Sequence, residues 1–190
     1  MKEHILKILH PAAETPSRAL PDGAFTGNGD LTAVLAGTAD RIRIHIGKAD
    51  FWKADGRANV PLQGGLAPLG LAEILLPQLA YADYKVEQNL DEARISLHLA
   101  AGRMTANLNL TVCAEENTLL LELDRTHPAL SVSISLLPLE GAEAVVQSGS
   151  CGDVHYTLRG FDTPECRFPS YGVCALKQIS RTAANGRERI

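Results

Sequence analysis

Period-two alternation of apolar and polar side chains dominates this chain. Arg41-Ile42-Arg43-Ile44-His45-Ile46 alternates without a break, as do Ile95-Ser96-Leu97-His98-Leu99 and Asn107-Leu108-Asn109-Leu110-Thr111-Val112. Leu119-Leu120-Leu121-Glu122-Leu123, Ser131-Val132-Ser133-Ile134-Ser135-Leu136 and Val154-His155-Tyr156-Thr157-Leu158 follow the same rule. Successive side chains of a strand point to opposite faces, so this spacing puts one face in a core and the other in water. Glu115-Glu116-Asn117-Thr118 separates two of these runs and predicts a hairpin connection. Gly102 predicts another. Many short alternating strands joined by brief turns predict a mainly β chain, an antiparallel β-sandwich with few or no helices.

Other segments carry weaker signals. Asp83 to Ala93 predicts a turn or short helix, with Asp91 and Glu92 near its start. Leu62 to Pro77 holds Gly64, Gly65 and Gly70 and predicts a loop, then a strand over Gly70 to Leu76. Residues 11–23, rich in Pro and small polar side chains, predict an extended lead-in. Arg181 to Ile190 has no apolar periodicity and predicts a mobile or interrupted end. There is no internal repeat, and residues 1–190 are expected to form a single sandwich domain.

Composition sharpens this picture. Hydrophobic residues make up 45% of the 190, enough for a core, but aromatics are only 5%. The core must therefore rest on Leu, Ile, Val and Ala. A net charge of -4 argues against a nucleic-acid partner. No apolar run approaches the roughly 20 residues that cross a bilayer as a helix, so no membrane partner is expected. Ile5, Leu6, Ile8 and Leu9, broken by Lys7, fall short of a secretion-signal core of about 7–15 residues. A chain beginning after a removed signal would look the same, so location stays open.

Candidate chemistry concentrates in Gly27-Asn28-Gly29-Asp30-Leu31 and Lys48-Ala49-Asp50-Phe51-Trp52, which holds the only tryptophan. An aromatic face beside a carboxylate and an ammonium suits a sugar, whose C–H face is apolar and whose rim is hydroxyls. Asn28, Asp30, Lys48, Asp50 and Trp52 are therefore the candidate carbohydrate-binding residues. Plainer readings stand beside this one. Gly27 and Gly29 serve backbone at φ > 0, and Asn28 and Asp30 are natural turn residues. Lys48 and Asp50 make a surface ion pair worth little, and Trp52 covers a core edge.

Other constellations are poor. Cys113 reads as a small buried hydrophobe, while Cys151, Cys166 and Cys174 lie close enough in sequence for a disulfide to be open. No cysteine pair has zinc spacing. His45, His98 and His155 fall at outward strand positions, where solvated faces outweigh metal binding. Asp153, Asp162 and Glu165 gather carboxylates without defining a separation. Gly64-Gly65 lacks the Lys-Ser/Thr of a phosphate loop, and Ser148, Ser150 and Cys151 lack a nucleophile-elbow context. No catalytic set, metal site or cofactor is expected.

The run Pro21-Asp22-Gly23-Ala24-Phe25-Thr26-Gly27-Asn28-Gly29-Asp30-Leu31, then Leu35-Ala36-Gly37, then Gly47-Lys48-Ala49-Asp50-Phe51-Trp52, resembles the opening of the N-terminal β-sandwich of six-hairpin glycosidases. The nearest group is related to glycoside hydrolase families 65 and 95, including α-L-fucosidase-like proteins. Gly70-Leu71-Ala72-Glu73-Ile74 and Tyr84-Lys85-Val86-Glu87-Gln88-Asn89-Leu90-Asp91-Glu92-Ala93 are similar to later segments of that domain. The likeness covers about residues 18–140, and Thr32 departs from the small residue usual there. It implies a supersandwich-like fold whose parent places its catalytic acid and base in a following (α/α)6 barrel. The expected partners are a carbohydrate, that barrel (absent from this chain) and, through the face the barrel would cover, another copy of the chain. The alternative is a stand-alone carbohydrate-binding or protein-interaction module.

Overall fold

A computed structural model of the chain describes residues 4–12, 23–55, 63–139, 144–162, 169–182 and 188–189. Among them the strands are β1 (Ile5–Ile8), β2 (Phe25–Gly27), β3 (Leu31–Gly37), β4 (Arg41–Asp55), β5 (Gln63–Leu75), β6 (Asp83–Asn89), β7 (Arg94–Ala101) and β8 (Met104–Val112). They continue with β9 (Leu119–Arg125), β10 (Ser133–Leu137), β11 (Ala144–Cys151), β12 (Val154–Phe161), β13 (Ser170–Lys177), β14 (Arg181–Thr182) and β15 (Glu188–Arg189). A single 3₁₀ turn, Pro77–Leu79, is the sole helical element among the described residues. The chain is mainly β, as its alternation predicts.

Pairing is antiparallel and makes three open sheets. Seven strands run β1-β6-β7-β8-β9-β15-β14, five run β10-β5-β4-β3-β2, and three run β11-β12-β13. The first two sheets face each other as a sandwich. Ile42, Ile44 and Ile46 of β4 pack with Leu31, Ala33 and Leu35 of β3 against Ile95, Leu97 and Leu99 of β7 and Leu108 and Leu110 of β8. Among the described residues this core rests on Leu, Ile, Val and Ala, as the low aromatic content predicts, with Tyr84 packed at its margin. Each such Leu or Ile contributes about 1.5–3 kcal/mol by leaving water.

The third sheet packs on the far halves of the two longest strands, β4 and β5. Phe51, Leu69 and Phe161 form a second apolar cluster there, with the two phenyl centroids 5.6 Å apart. Cys174 of β13 touches both clusters. It sits so close to β5 that a side chain on Gly70 would meet its Sγ at 2.8 Å. Arg159 is buried beside Phe161, its guanidinium 5.1 Å from the ring centre and its Nη1 donating to the Pro68 carbonyl at 2.6 Å.

Two hairpins turn on glycine. Gly102, between β7 and β8, and Gly152, between β11 and β12, both have φ of +61°, a conformation that opens a two-residue hairpin loop cheaply only in glycine.

Several expectations are corrected. Asp83 to Ala93 is not helical. Its first seven residues are β6, where Val86 and Gln88 point inward, and Asn89 Oδ1 then accepts the Asp91 and Glu92 amides to close a turn. The loop expected before Gly70 is strand from Gln63 onward, because glycine and proline are tolerated where the β4–β5 register shifts between Gly47↔Pro68 and Trp52↔Leu66. Gly27 has no positive φ. It is required because a side chain there would approach the Leu31 carbonyl oxygen to 2.8 Å. Residues 181–182 and 188–189 extend the large sheet beside β9. Most of the expected lead-in, residues 13–22, lies outside the described residues, as do Glu165 and Cys166.

Candidate functional site

The turn before β3 is built by one side chain. Asn28 Oδ1 accepts the Asp30 amide at 3.0 Å and the Leu31 amide at 2.8 Å. Its Nδ2 donates across the sandwich to the Cys113 carbonyl at 2.9 Å and the Glu116 carbonyl at 3.4 Å. This amide therefore ties the glycine turn to the β8–β9 hairpin, and both its ends are engaged on backbone. The Cys113 carbonyl is taken up in this tie. Cys113 itself is half-buried just beyond β8 rather than fully buried within it.

The turn delivers Asp30 to β4. The Ala49 amide donates to the Asp30 carbonyl at 2.7 Å, and Lys48 stands opposite Leu31. Lys48 Nζ lies 3.0 Å from Asp30 Oδ1 and 2.8 Å from Asp50 Oδ2. Hydrogen bonding from Lys48, then from Asn117, holds the Asp30 carboxyl below its ordinary 3.8, and Asp50 followed by Asp30 raises Lys48 above 10.5. Solvent reaches the cluster, so it adds little to stability.

Trp52 completes the group. Between Gly47 and Trp52 the register with β5 shifts, and beyond the shift Phe51 and Trp52 part company. Phe51 is 2% exposed in the second core, whereas Trp52 is 49% exposed. About half of the indole surface is open to solvent. Its Nε1 donates to the carbonyl of Ala49, the residue after Lys48, at 2.7 Å, which tethers the ring. The structure thus gathers Asp30, Lys48, Asp50 and Trp52 at one surface, with Asn28 as the scaffold beneath.

Two carboxylates on one ammonium invite comparison with the acid and base of a glycosidase. A general acid needs a raised pKa, however, and Asp30 is shifted downward. The arrangement suits binding of hydroxyls rather than proton transfer.

The other candidates disperse. His45, His98 and His155 lie on three different sheets, His98 bonding Asn107 at 2.6 Å and His155 bonding Ser150 at 2.8 Å. Among the described residues no group of three metal-ligating side chains converges. Cys113, Cys151 and Cys174 are free thiols. Asp153 pairs with Lys177 at 3.2 Å and Asp162 accepts the Tyr171 hydroxyl, at opposite ends of β12.

Two clefts lie away from this surface. One of about 320 Å³ runs between Leu119–Glu122 and Ala175–Ile179. The other, about 340 Å³, lies between β10 and the β11–β12 hairpin, with Ser135, Ser148, Ser150, His155 and Tyr156 in its wall. Sequence spacing did not reveal the second, because only the hairpin at Gly152 brings Ser150 opposite His155. Comparison of the chain with protein-family models and with curated proteins gives no match.

Proposed function

We propose that the chain is the non-catalytic β-sandwich domain of a glycoside hydrolase, packing against a catalytic barrel and bordering its sugar pocket with residues 48–52. The observation that carries this reading is Lys48 held between Asp30 and Asp50, with the exposed, tethered indole of Trp52 on the same strand. Carboxylates accept from sugar hydroxyls, the ammonium donates to them, and the indole face takes the C–H side of the ring. The likeness of residues 18–140 to glycosidase sandwiches supports the same reading. Leu120, Tyr171, Val173 and Ile179 are each more than half exposed and offer apolar surface to a barrel or to a second copy of the chain.

Trp52 is the only tryptophan, so its fluorescence reports this surface alone. Titration with neutral methyl glycosides is expected to quench or shift its emission with a midpoint on the order of millimolar or weaker, since half a pocket buries little ligand. Lys48→Met and Asp50→Asn are expected to weaken the response. Emission that stays flat for every glycoside, or that responds equally in both variants, overturns the reading.

A further inference from the structure

We propose that the open edge of β9 takes an extended polypeptide strand, antiparallel to β9 and in line with β15, which lengthens the large sheet. The direction of the β9 backbone carries this. The Cys113 amide donates to the Thr118 carbonyl at 2.9 Å and the Thr126 amide to the Thr105 carbonyl at 3.1 Å, so the even-numbered residues of this strand turn N–H and C=O toward β8. The register with β8 is unbroken from Leu119 to Arg125, so the odd-numbered residues turn theirs away. Of these, Arg125 is met by Glu188 of β15. Among the described residues no backbone hydrogen bond reaches the outward groups of Leu119 and Leu121.

That edge opens into the cleft of about 320 Å³. Leu119, Leu121 and Ile134 stand at the margin of the larger core and are only partly buried there, and Leu176 of β13 adds to the wall. A strand laid opposite Leu119 and Leu121 puts alternate side chains on the face those leucines share, over the margin of the core. Edges left open in native sheets are usually guarded by a lysine, a proline or a bulge. β1, at the far edge of the same sheet, carries Lys7. Leu119-Leu120-Leu121 carries no such guard.

The geometry selects among occupants. Leu119 and Leu121 offer two donor–acceptor pairs about 6.8 Å apart, the spacing of alternate residues in another antiparallel strand. A lipid or a sugar does not repeat it. A helix spends its backbone groups internally, so a helical barrel cannot fill the edge. β15 sets the direction. Glu188 and Arg189 face Arg125 and Asp124, and a strand laid beyond them in the same sense comes opposite Leu121 and then Leu119.

The probe is the peptide acetyl-Lys-Thr-Leu-Thr-Leu-Thr-Lys-amide, whose leucines fall opposite Leu121 and Leu119, and the readout is amide hydrogen exchange of the full chain. Without peptide, Leu119 and Leu121 are expected to exchange about tenfold or more faster than Leu120 and Glu122, whose amides bond β8. Peptide is expected to slow Leu119 and Leu121 saturably. Methylating its two leucine nitrogens, which bond β9, is expected to weaken binding about tenfold or more, and methylating its threonine nitrogens, which face away, to change it about threefold at most. Leu119→Pro removes an outward N–H at the first residue of the strand and is expected to weaken binding about tenfold. Should that variant fail to fold, the two methylated peptides carry the test on the unaltered chain. No saturable slowing, or equal loss with both methylation patterns, overturns the proposal. Slow exchange of Leu119 and Leu121 without peptide also overturns it. Slowing that grows with chain concentration would give the edge to a second copy, and slowing independent of concentration to the chain's own residues.

Discussion

Phe51 and Trp52 are neighbours with opposite fates, and the contrast is measurable. Phe51 is sealed against Leu69 and Phe161, so Phe51→Ala is expected to cost about 3–5 kcal/mol in urea unfolding. Trp52 is half exposed, and Trp52→Ala is expected to cost under about 1 kcal/mol. A large loss for Trp52→Ala would return the indole to the core. Asp30 gives a second test. Its folded pKa is depressed, so what it contributes is present above the unfolded value and fades as pH falls through the lower folded one. Carbon-detected carboxyl titration is expected to place Asp30 below 3.8, and Lys48→Met to move it upward. An unmoved titration would mean that the lysine does not hold it.

Elements show where alternation is a sufficient guide and where it is not. β4, β7 and β8 were legible because each has one face in the core and one in water. The second half of β5 was legible as the strand from Gly70; the first half was not, since Gly64, Gly65 and Pro68 are turn residues by local propensity and strand residues only because β4 pairs with them. β6 was obscured by Asp91, Glu92 and Ala93, which belong to the turn after it. Ala93 adopts φ of 48° there, a backbone state that sequence does not announce. At the candidate site, Asp30, Lys48, Asp50 and Trp52 were legible as a group because one turn and one strand carry them. The cross-sandwich role of Asn28 was hidden, since it depends on the carbonyls of residues 113 and 116. Asn28→Ala is expected to lower stability by about 1–2 kcal/mol in urea melts, and Asn28→Asp, which keeps the acceptor and loses the donor, to fall between. No change in either variant would make the tie dispensable.

The whole molecule is two apolar cores strung on one β-ribbon. β4 and β5 serve the larger core with Ile42, Ile44, Ile46 and Ile74 and the smaller one with Phe51 and Leu69. Sheet order and the placing of the third sheet were beyond the sequence, because alternation tells which face is buried but not by which neighbour. At the seam stands Cys174, half-buried against both cores, its thiol pushed up to about 11 by burial. Cys151, by contrast, is exposed. The chain therefore carries its own clock for the parting of its two halves. A variant keeping Cys151 as its sole thiol is expected to react with a disulfide reagent at once. One keeping only Cys174 should react at the pace at which the third sheet lifts away. Equal rates would mean that the seam is already open in the native state. Slow labelling that begins before the large sandwich melts would date the detachment of the small sheet as a separate event in the life of the folded chain.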